Sequence, residues 1–345
     1  MQLVILAGGK GSRLGLTDIP KPMITISGKP LLEYQIELAK RYAITEIYIL
    51  SGYLANVIVD YFGDGSEWGV NIHHVIEPEP LGTAGALNLL EGRLRGRFLV
   101  FYGDIVMDFD IPSFVEFDKD PPDTMGTILV HPNNHPYDSD LVEIDADKFV
   151  RAFLPKPHGE NEVYHNLVNA AVYILSPRIL DYIESGTFAD FGKDIFPLVL
   201  KKGDKLRAYT SPEYIKDMGT KDRLEEVSRD LKNGKVRRFN RMNKRPAVFL
   251  DRDVVINKDM GFELLPGAAG AVKRINESGY LCIVVANSED LEKTGKKMET
   301  ALGREGAYLD GIYTSPRCDE FNIDLEHSLM IKTGLPETVR SIQGI

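Results

Sequence analysis

Near the N-terminus an apolar run, Leu3-Val4-Ile5-Leu6, breaks into Ala7-Gly8-Gly9-Lys10-Gly11-Ser12-Arg13-Leu14 and then reaches Pro20-Lys21-Pro22. Glycines let backbone N–H groups approach anionic oxygens that side chains would block, and Lys10, Arg13 and Lys21 add positive charge. A buried strand that delivers such a loop is suited to cradle phosphate, and the expected ligand is a nucleotide. Spacing excludes two familiar cradles. A P-loop requires Gly-x-x-x-x-Gly-Lys-Ser/Thr, whereas Lys10 precedes Gly11 and is not followed by a hydroxyl residue. A dinucleotide fingerprint requires Gly-x-Gly-x-x-Gly, and Leu14 stands where the third glycine belongs.

Such a loop needs a scaffold to present it. Short apolar runs at 2–6, 46–50, 71–75 and 98–102 alternate with amphipathic segments at 30–42, 54–62 and 82–90. This alternation predicts an α/β fold, a Rossmann-like, mostly parallel sheet covered by helices, with ligands beyond the C-terminal strand ends. The glycine loop after Leu6, Gly103-Asp104, and Asp217 after Tyr214-Ile215 all fall at such ends. At 345 residues the chain has room for two cores. A composition break comes at 233–245, where six of the eleven residues from Lys235 to Arg245 are Lys or Arg. It reads as a solvated basic linker and divides the chain into 1–232, 233–245 and 246–345.

The net charge of −10 argues against a nucleic-acid or anionic-membrane binder, because both partners need positive surface to displace counterions. No apolar stretch approaches the roughly 20 residues that span a bilayer, and no basic stretch leads into an apolar one at the N-terminus. Cys282 and Cys318 form no CxxC pair and are read as free thiols. These features predict a cytoplasmic protein acting on small molecules. His131, His135, His158 and His165 lack metal-ligand spacing and are read as loop histidines.

The segment GGKGSRLGLTDIPKP resembles the signature of the sugar-1-phosphate nucleotidyltransferases, and further motifs carry the resemblance through residues 1–232. It implies a GT-A-like α/β domain. Nucleotidyl transfer to a sugar phosphate needs no general base, since the attacking oxygen is already ionised, so cations and positioning must supply the catalysis. The resemblance gives Arg13 the departing pyrophosphate and Lys21 the α-phosphate and the incoming sugar phosphate. Leu6, Ala7, Gly8, Gly9, Lys10, Gly11 and Ser12 would hold the nucleotide. Asp104, in FYGD, and Asp217, in YIKDMGT, match the family's two metal-binding aspartates, and the implied metal is Mg²⁺. The run EPEPLGTAGA, from Glu77, resembles the base-binding loop in the form seen in guanylyltransferases. There Gly82 and Thr83 open a helix whose N–H groups face the nucleotide. The Glu77 carboxylate, an acceptor only, suits the N1–H and N2–H donors of guanine. Lys156, in FLPKP, matches the lysine that grips the sugar phosphate, and Asn169, in NAAVY, the residue that bonds a sugar hydroxyl. Pro155 replaces the usual glutamate, and Asp140 is the candidate for its contact.

The second half differs. Ala247-Val248-Phe249-Leu250-Asp251-Arg252-Asp253 resembles motif one of the haloacid dehalogenase-type phosphatases, and the following segments are similar to their heptose bisphosphate branch. In that chemistry the first Asp attacks phosphorus and the second protonates the leaving group. The remaining parts are lost. Val254-Val255 replaces Gly-Thr, Ala286 replaces a phosphate-binding hydroxyl residue, and Ile331-Lys332-Thr333 lacks the later metal-binding aspartate. The expectation is a truncated HAD-like unit with vestigial Asp251 and Asp253 and no phosphatase activity. The order of the two halves resembles fusions with heptose-1-phosphate guanylyltransferases. It implies transfer of GMP from GTP to D-glycero-D-manno-heptose 1-phosphate or mannose 1-phosphate, with release of pyrophosphate. Two other classes stay open. One is a nucleotide-sugar sensor with a regulatory C-terminal module, against which the intact Arg13, Lys21, Asp104 and Asp217 argue; the other is a bifunctional enzyme with residual hydrolysis through Asp251. The C-terminal part is also a candidate surface for a homo-oligomer.

Overall fold

The structure is a computed structural model that describes residues 1–9, 11, 14, 15, 17–257, 263–286, 291–314 and 321–341. Its principal strands are β1 (Gln2–Ala7), β2 (Glu46–Ser51), β3 (Asn71–Ile76), β4 (Phe98–Tyr102), β5 (Ile105–Asp108), β6 (Gly126–His131), β7 (Leu141–Ile144), β8 (Val150–Leu154), β9 (Val168–Leu175), β10 (Leu206–Thr210), β11 (Tyr214–Asp217), β12 (Ala247–Asp251), β13 (Leu281–Val285), β14 (Gly311–Tyr313) and β15 (Leu329–Ile331). The helices are α1 (Leu31–Arg41), α2 (Ala55–Phe62), α3 (Gly82–Gly85), α4 (Ile111–Asp118), α5 (Phe196–Lys201), α6 (Lys221–Lys232), α7 (Lys235–Arg238), α8 (Ala268–Ser278), α9 (Leu291–Arg304) and α10 (Leu335–Ser341).

The large sheet runs β8-β7-β9-β4-β1-β2-β3, with β6 joined to β9 and β10 to β6. From β3 to β4 all neighbours are parallel, whereas β9 enters antiparallel against β4, β6 and β7. The central strands must be apolar on both faces, because helices cover both. Leu3 and Ile5 accordingly join one core with Ile36, Ile49 and Phe101, while Val4 joins the opposite core with Leu50, Val100 and Tyr173. The result is a mostly parallel α/β layer in which the glycine loop and Asp104 follow the C-terminal ends of β1 and β4, whereas Asp217, expected at such an end, closes β11 of a separate two-stranded antiparallel sheet with β5. Helix formation over 82–90 is shorter than expected: α3 holds four residues and tightens into a 3₁₀ segment at Ala86–Leu90.

Residues from Ala247 onward form a four-stranded parallel sheet, β14-β13-β12-β15, with a separate core around Val248, Leu250, Cys282 and Val284. Cys282 is a buried free thiol, and Cys318 lies outside the described residues. The expectation of a solvated linker at 233–245 needs correction. Val236 and Phe239 are buried in a core with Val106, Tyr214 and Met218. Arg245 is 6% exposed; it donates to the carbonyls of Pro212 (2.9 Å) and Gly279 (3.3 Å) and covers the Phe239 ring at 3.9 Å. The cations alternate with apolar residues whose burial a charge count conceals. Among the described residues no helix is long and apolar enough to cross a membrane.

Candidate active site

Parallel β1 carries the chain to Gly8 and Gly9 at the sheet's C-terminal edge. Glu77, one residue past β3, lies against this loop: a Cβ on Gly8 would sit 2.2 Å from Glu77 Oε1, so only glycine permits the approach. Its other oxygen accepts the Leu81 N–H at 3.1 Å. Burial pushes the Glu77 carboxyl above its usual range, with the Leu81 N–H pulling the other way. Gly11 turns the loop with φ +63°, and Leu14 N–H closes onto its carbonyl at 3.0 Å. Lys10, Ser12 and Arg13 lie outside the described residues.

The nearby turn changes the reading of Gly82 and Thr83. Two first-turn donors of α3, the N–H groups of Ala84 and Gly85, point to the Ala189 carbonyl at 2.9 and 3.3 Å. The Thr83 hydroxyl donates to Asp190 at 2.8 Å and accepts the Phe191 N–H at 3.0 Å. Gly82 has φ +77°, and a Cβ there would lie 2.5 Å from the Ala189 carbonyl oxygen. These residues therefore lock the loop onto the 187–191 segment, and the picture of a helix end with all its donors turned to a ligand does not hold.

Lys21 is only 9% exposed, and its Nζ meets Asp104 Oδ2 at 2.6 Å. Gly103 makes this pairing feasible, because a Cβ there would press within 3.0 Å of the Leu6 carbonyl oxygen and 3.1 Å of Pro22. Gln35, 1% exposed on α1, donates to the carbonyls of Tyr102 and Ile105 at 2.8 Å each and so fixes both ends of the Asp104 turn. Asp217 is set beside it by register. β11 pairs antiparallel with β5, Asp217 opposite Ile105, and Met218 N–H reaches the Asp104 carbonyl at 3.2 Å. Asp217 accepts from Gly219 N–H (2.8 Å) and pairs with Arg223 Nη1 (2.6 Å), whose other nitrogen reaches His135 Nε2 at 3.0 Å. Burial opposes the charged form of Asp217, yet Arg223 outweighs it and holds the carboxyl below the usual range. Gln35 and Arg223 are not among the candidates the sequence offers, and His135, read there as a loop histidine, meets Arg223. Two hard carboxylates on adjacent strand ends, each still partly open to solvent, form a donor set suited to Mg²⁺, which needs only one or two from a protein.

Asp140, Lys156 and Asn169 form a second polar group. Asp140 Oδ1 accepts the Lys156 N–H at 3.1 Å, and Lys156 Nζ donates to the Asp138 carbonyl at 2.9 Å. Asn169 Oδ1 accepts the Ala171 N–H at 3.0 Å, holding Ala171 at φ +55°. That leaves the Asn169 amide to donate. A cleft of about 470 Å³ brings Lys21, Asp104, Asp140, Lys156, Asn169 and Asp217 together. The glycine loop, Glu77, Gly82 and Thr83 do not line it. Asp251 and Asp253 are elsewhere, at the end of β12 and in the 3₁₀ turn that follows it; Asp251 caps the Asp253 N–H at 3.0 Å, and Arg252 pairs with Asp253 at 2.8 Å.

Mannose-1-phosphate guanylyltransferase of Mycobacterium tuberculosis is 31% identical over 235 residues, 67% of this chain and 64% of its own length. UTP--glucose-1-phosphate uridylyltransferase of Synechocystis is 30% identical over 280 residues, 75% of this chain and 71% of the relative. The chain thus spans less than two thirds of the mycobacterial protein and somewhat more of the cyanobacterial one. Among solved structures, HddC from Yersinia pseudotuberculosis complexed with GMP-PN shows 28% identity and a TM-score of 0.57, over 67% of this chain and 99% of that one. Residues 2–234 match the family described as nucleotidyl transferase. That match covers more than half of the chain and ends between α6 and α7, and on it the chain belongs to the nucleotidyl transferase family.

Proposed function

We propose that this protein is a sugar-1-phosphate nucleotidyltransferase that moves GMP from GTP to a manno-configured sugar 1-phosphate, heptose or mannose. The observation that carries the reading is the convergence of Lys21, Asp104 and Asp217 with Lys156, Asp140 and Asn169 in one cleft. A sugar-phosphate oxygen attacks the α-phosphorus, the bond to the β-phosphate oxygen breaks, and pyrophosphate leaves. Lys156 and the Asn169 amide orient the sugar phosphate; Lys21 sits between the two anions and lowers the cost of bringing them together. Arg13 takes the charge of the departing pyrophosphate. Asp104 and Asp217 would hold Mg²⁺, which when bound would offset the negative charge of the phosphates. Glu77 faces the base, and the guanylyl names among the relatives support guanine there.

The C-terminal unit we read as a phosphatase remnant without activity. Asp253 is engaged by Arg252, and Ala286 follows β13 where a phosphate-binding hydroxyl would be needed. The decisive experiment is pyrophosphate release with Mg²⁺ from each of GTP, ATP, UTP, CTP and dTTP against mannose, glucose and heptose 1-phosphates. Release confined to GTP with manno sugars is expected. Another nucleotide would keep the enzyme class and overturn the base, and no release from any pair would favour the sensor.

A further inference from the structure

The contacts that α9 and the turn after it make with the transferase unit gather on the segments around Lys156 and Asp140. Lys296 pairs with Glu143 on β7 at 2.8 Å. Glu299 Oε2 meets His165 Nδ1 at 2.8 Å and accepts the Asn166 N–H at 3.2 Å. The Thr300 hydroxyl both accepts the Tyr164 N–H and reaches the Tyr164 carbonyl, at 3.0 Å each. Arg304 donates to the Glu160 carbonyl. Gly303 lies so close that a Cβ would come within 2.4 Å of Pro136.

From there hydrogen bonds continue to the cleft. The Asn166 side chain donates to the Asn133 carbonyl at 2.7 Å, and Asn133 Nδ2 reaches Ser139 Oγ at 3.0 Å. His158 Nε2 bonds the Ser139 carbonyl at 2.8 Å while its ring packs on Tyr164 at 5.0 Å. Ser139 precedes Asp140, and His158 follows Lys156-Pro157. The long connection between β8 and β9 has little regular structure of its own, and segments of that kind open locally unless something braces them. We propose that the C-terminal unit is that brace, with Glu299, Thr300 and Gly303 as positioning residues that set Lys156 and Asp140 through the 133–140 and 158–166 segments. This rests on the sugar-phosphate reading of Lys156 and Asp140 given above. It assigns the unit a role in the transferase reaction that needs no phosphatase chemistry.

The test uses the full chain. Glu299→Ala and Gly303→Val should raise the KM for sugar 1-phosphate about tenfold or more, as displacement of a positioned group does, while the GTP KM stays within about twofold. Glu299→Gln keeps an acceptor for Asn166 and should restore most of the loss. Hydrogen exchange should quicken at 133–142 and 158–168 in the two damaging variants and stay unchanged at 2–9 and 71–81. If both KM values move together, or neither moves, or exchange in the two segments is unaltered, the brace is overturned. A wild-type chain that releases no pyrophosphate would instead overturn the proposed reaction, and the exchange comparison would still decide whether α9 orders the two segments.

Discussion

Gly85→Ala separates packing from ligand contact at the turn after Glu77. An added Cβ would lie 2.3 Å from the Thr187 carbonyl oxygen, where real Cβ contacts do not fall below 3.0 Å. Because the obstruction is backbone, no rotamer relieves it, and α3 must part from the 187–189 segment by about 0.7 Å, an overpacking that costs about 1–3 kcal/mol. The same separation stretches the Ala84 N–H to Ala189 bond (2.9 Å) and the Ala189 N–H to Leu81 bond (3.0 Å). With about 1 kcal/mol at stake in such hydrogen bonds, the expected total is about 3 kcal/mol. At about 2–4 °C per kcal/mol for a unit of this size, the transferase midpoint in calorimetry should fall by about 6–12 °C. Leu81 also holds Glu77, so binding of a fluorescent guanine nucleotide should weaken in parallel. Gly270→Ala is the control: nothing lies within 4 Å of a Cβ there, and it should stabilise α8 by up to about 1 kcal/mol. A Gly85→Ala midpoint no lower than that of Gly270→Ala would refute the reasoning.

Three further outcomes are expected. Glu77→Gln should lower the preference for GTP over UTP and dTTP by about 10–150-fold in kcat/KM, the loss of one charge-assisted hydrogen bond; an unchanged preference would remove Glu77 from base reading. Ala171→Gly relieves a left-handed backbone at φ +55° and should raise the denaturant midpoint, by about 1 kcal/mol in stability; a lower midpoint would show that the conformation carries no strain. His165 is opposed by burial and held above its usual value by Glu299, with Lys296 and Glu143 also facing it. Its contribution to stability is therefore complete below the unfolded value of about 6.5 and lost as pH rises through the higher folded value. The midpoint difference between wild type and His165→Gln should shrink from pH 6 to 9, and a difference that grows would sink the assignment.

The strand-helix alternation made the first sheet legible because its central strands are buried on both faces, so residues 2–6, 46–50 and 98–102 could scarcely be anything else. Lys21 and Asp104 were each recognisable, but not their pairing, since 83 positions separate them and Gly103 closes the gap only in three dimensions. Gln35 left a usable signal. It interrupts the apolar stripe of Leu31, Leu32, Ile36 and Ala39, and an amide there must find buried partners. Arg223 left none, because a lone arginine early in α6 looks like any solvated helix cation until the fold turns it toward Asp217. The basic segment misled for the reverse reason. Counting its charges hid Val236 and Phe239, which decide that it packs.

Strand cores and strand ends answer to different constraints, and the C-terminal unit divides along that line. Val248, Leu250, Cys282 and Val284 sit within the strands and are fully buried, so they specify the sheet whatever stands at its edge. The positions that differ from the resembled phosphatase motifs, Val254-Val255, Ala286 and Ile331-Lys332-Thr333, lie at or beyond strand ends, and Val254, Val255, Ala286 and Ile331 are apolar and join the same buried core. Meanwhile α9, on the flank of the same sheet, presents Lys296, Glu299, Thr300 and Gly303 to the transferase unit, and this contact depends on the sheet being folded rather than on its chemistry. On the reading proposed above, this unit needs no reactive group of its own to act on the neighbouring cleft, because it acts through the position of the segments it touches.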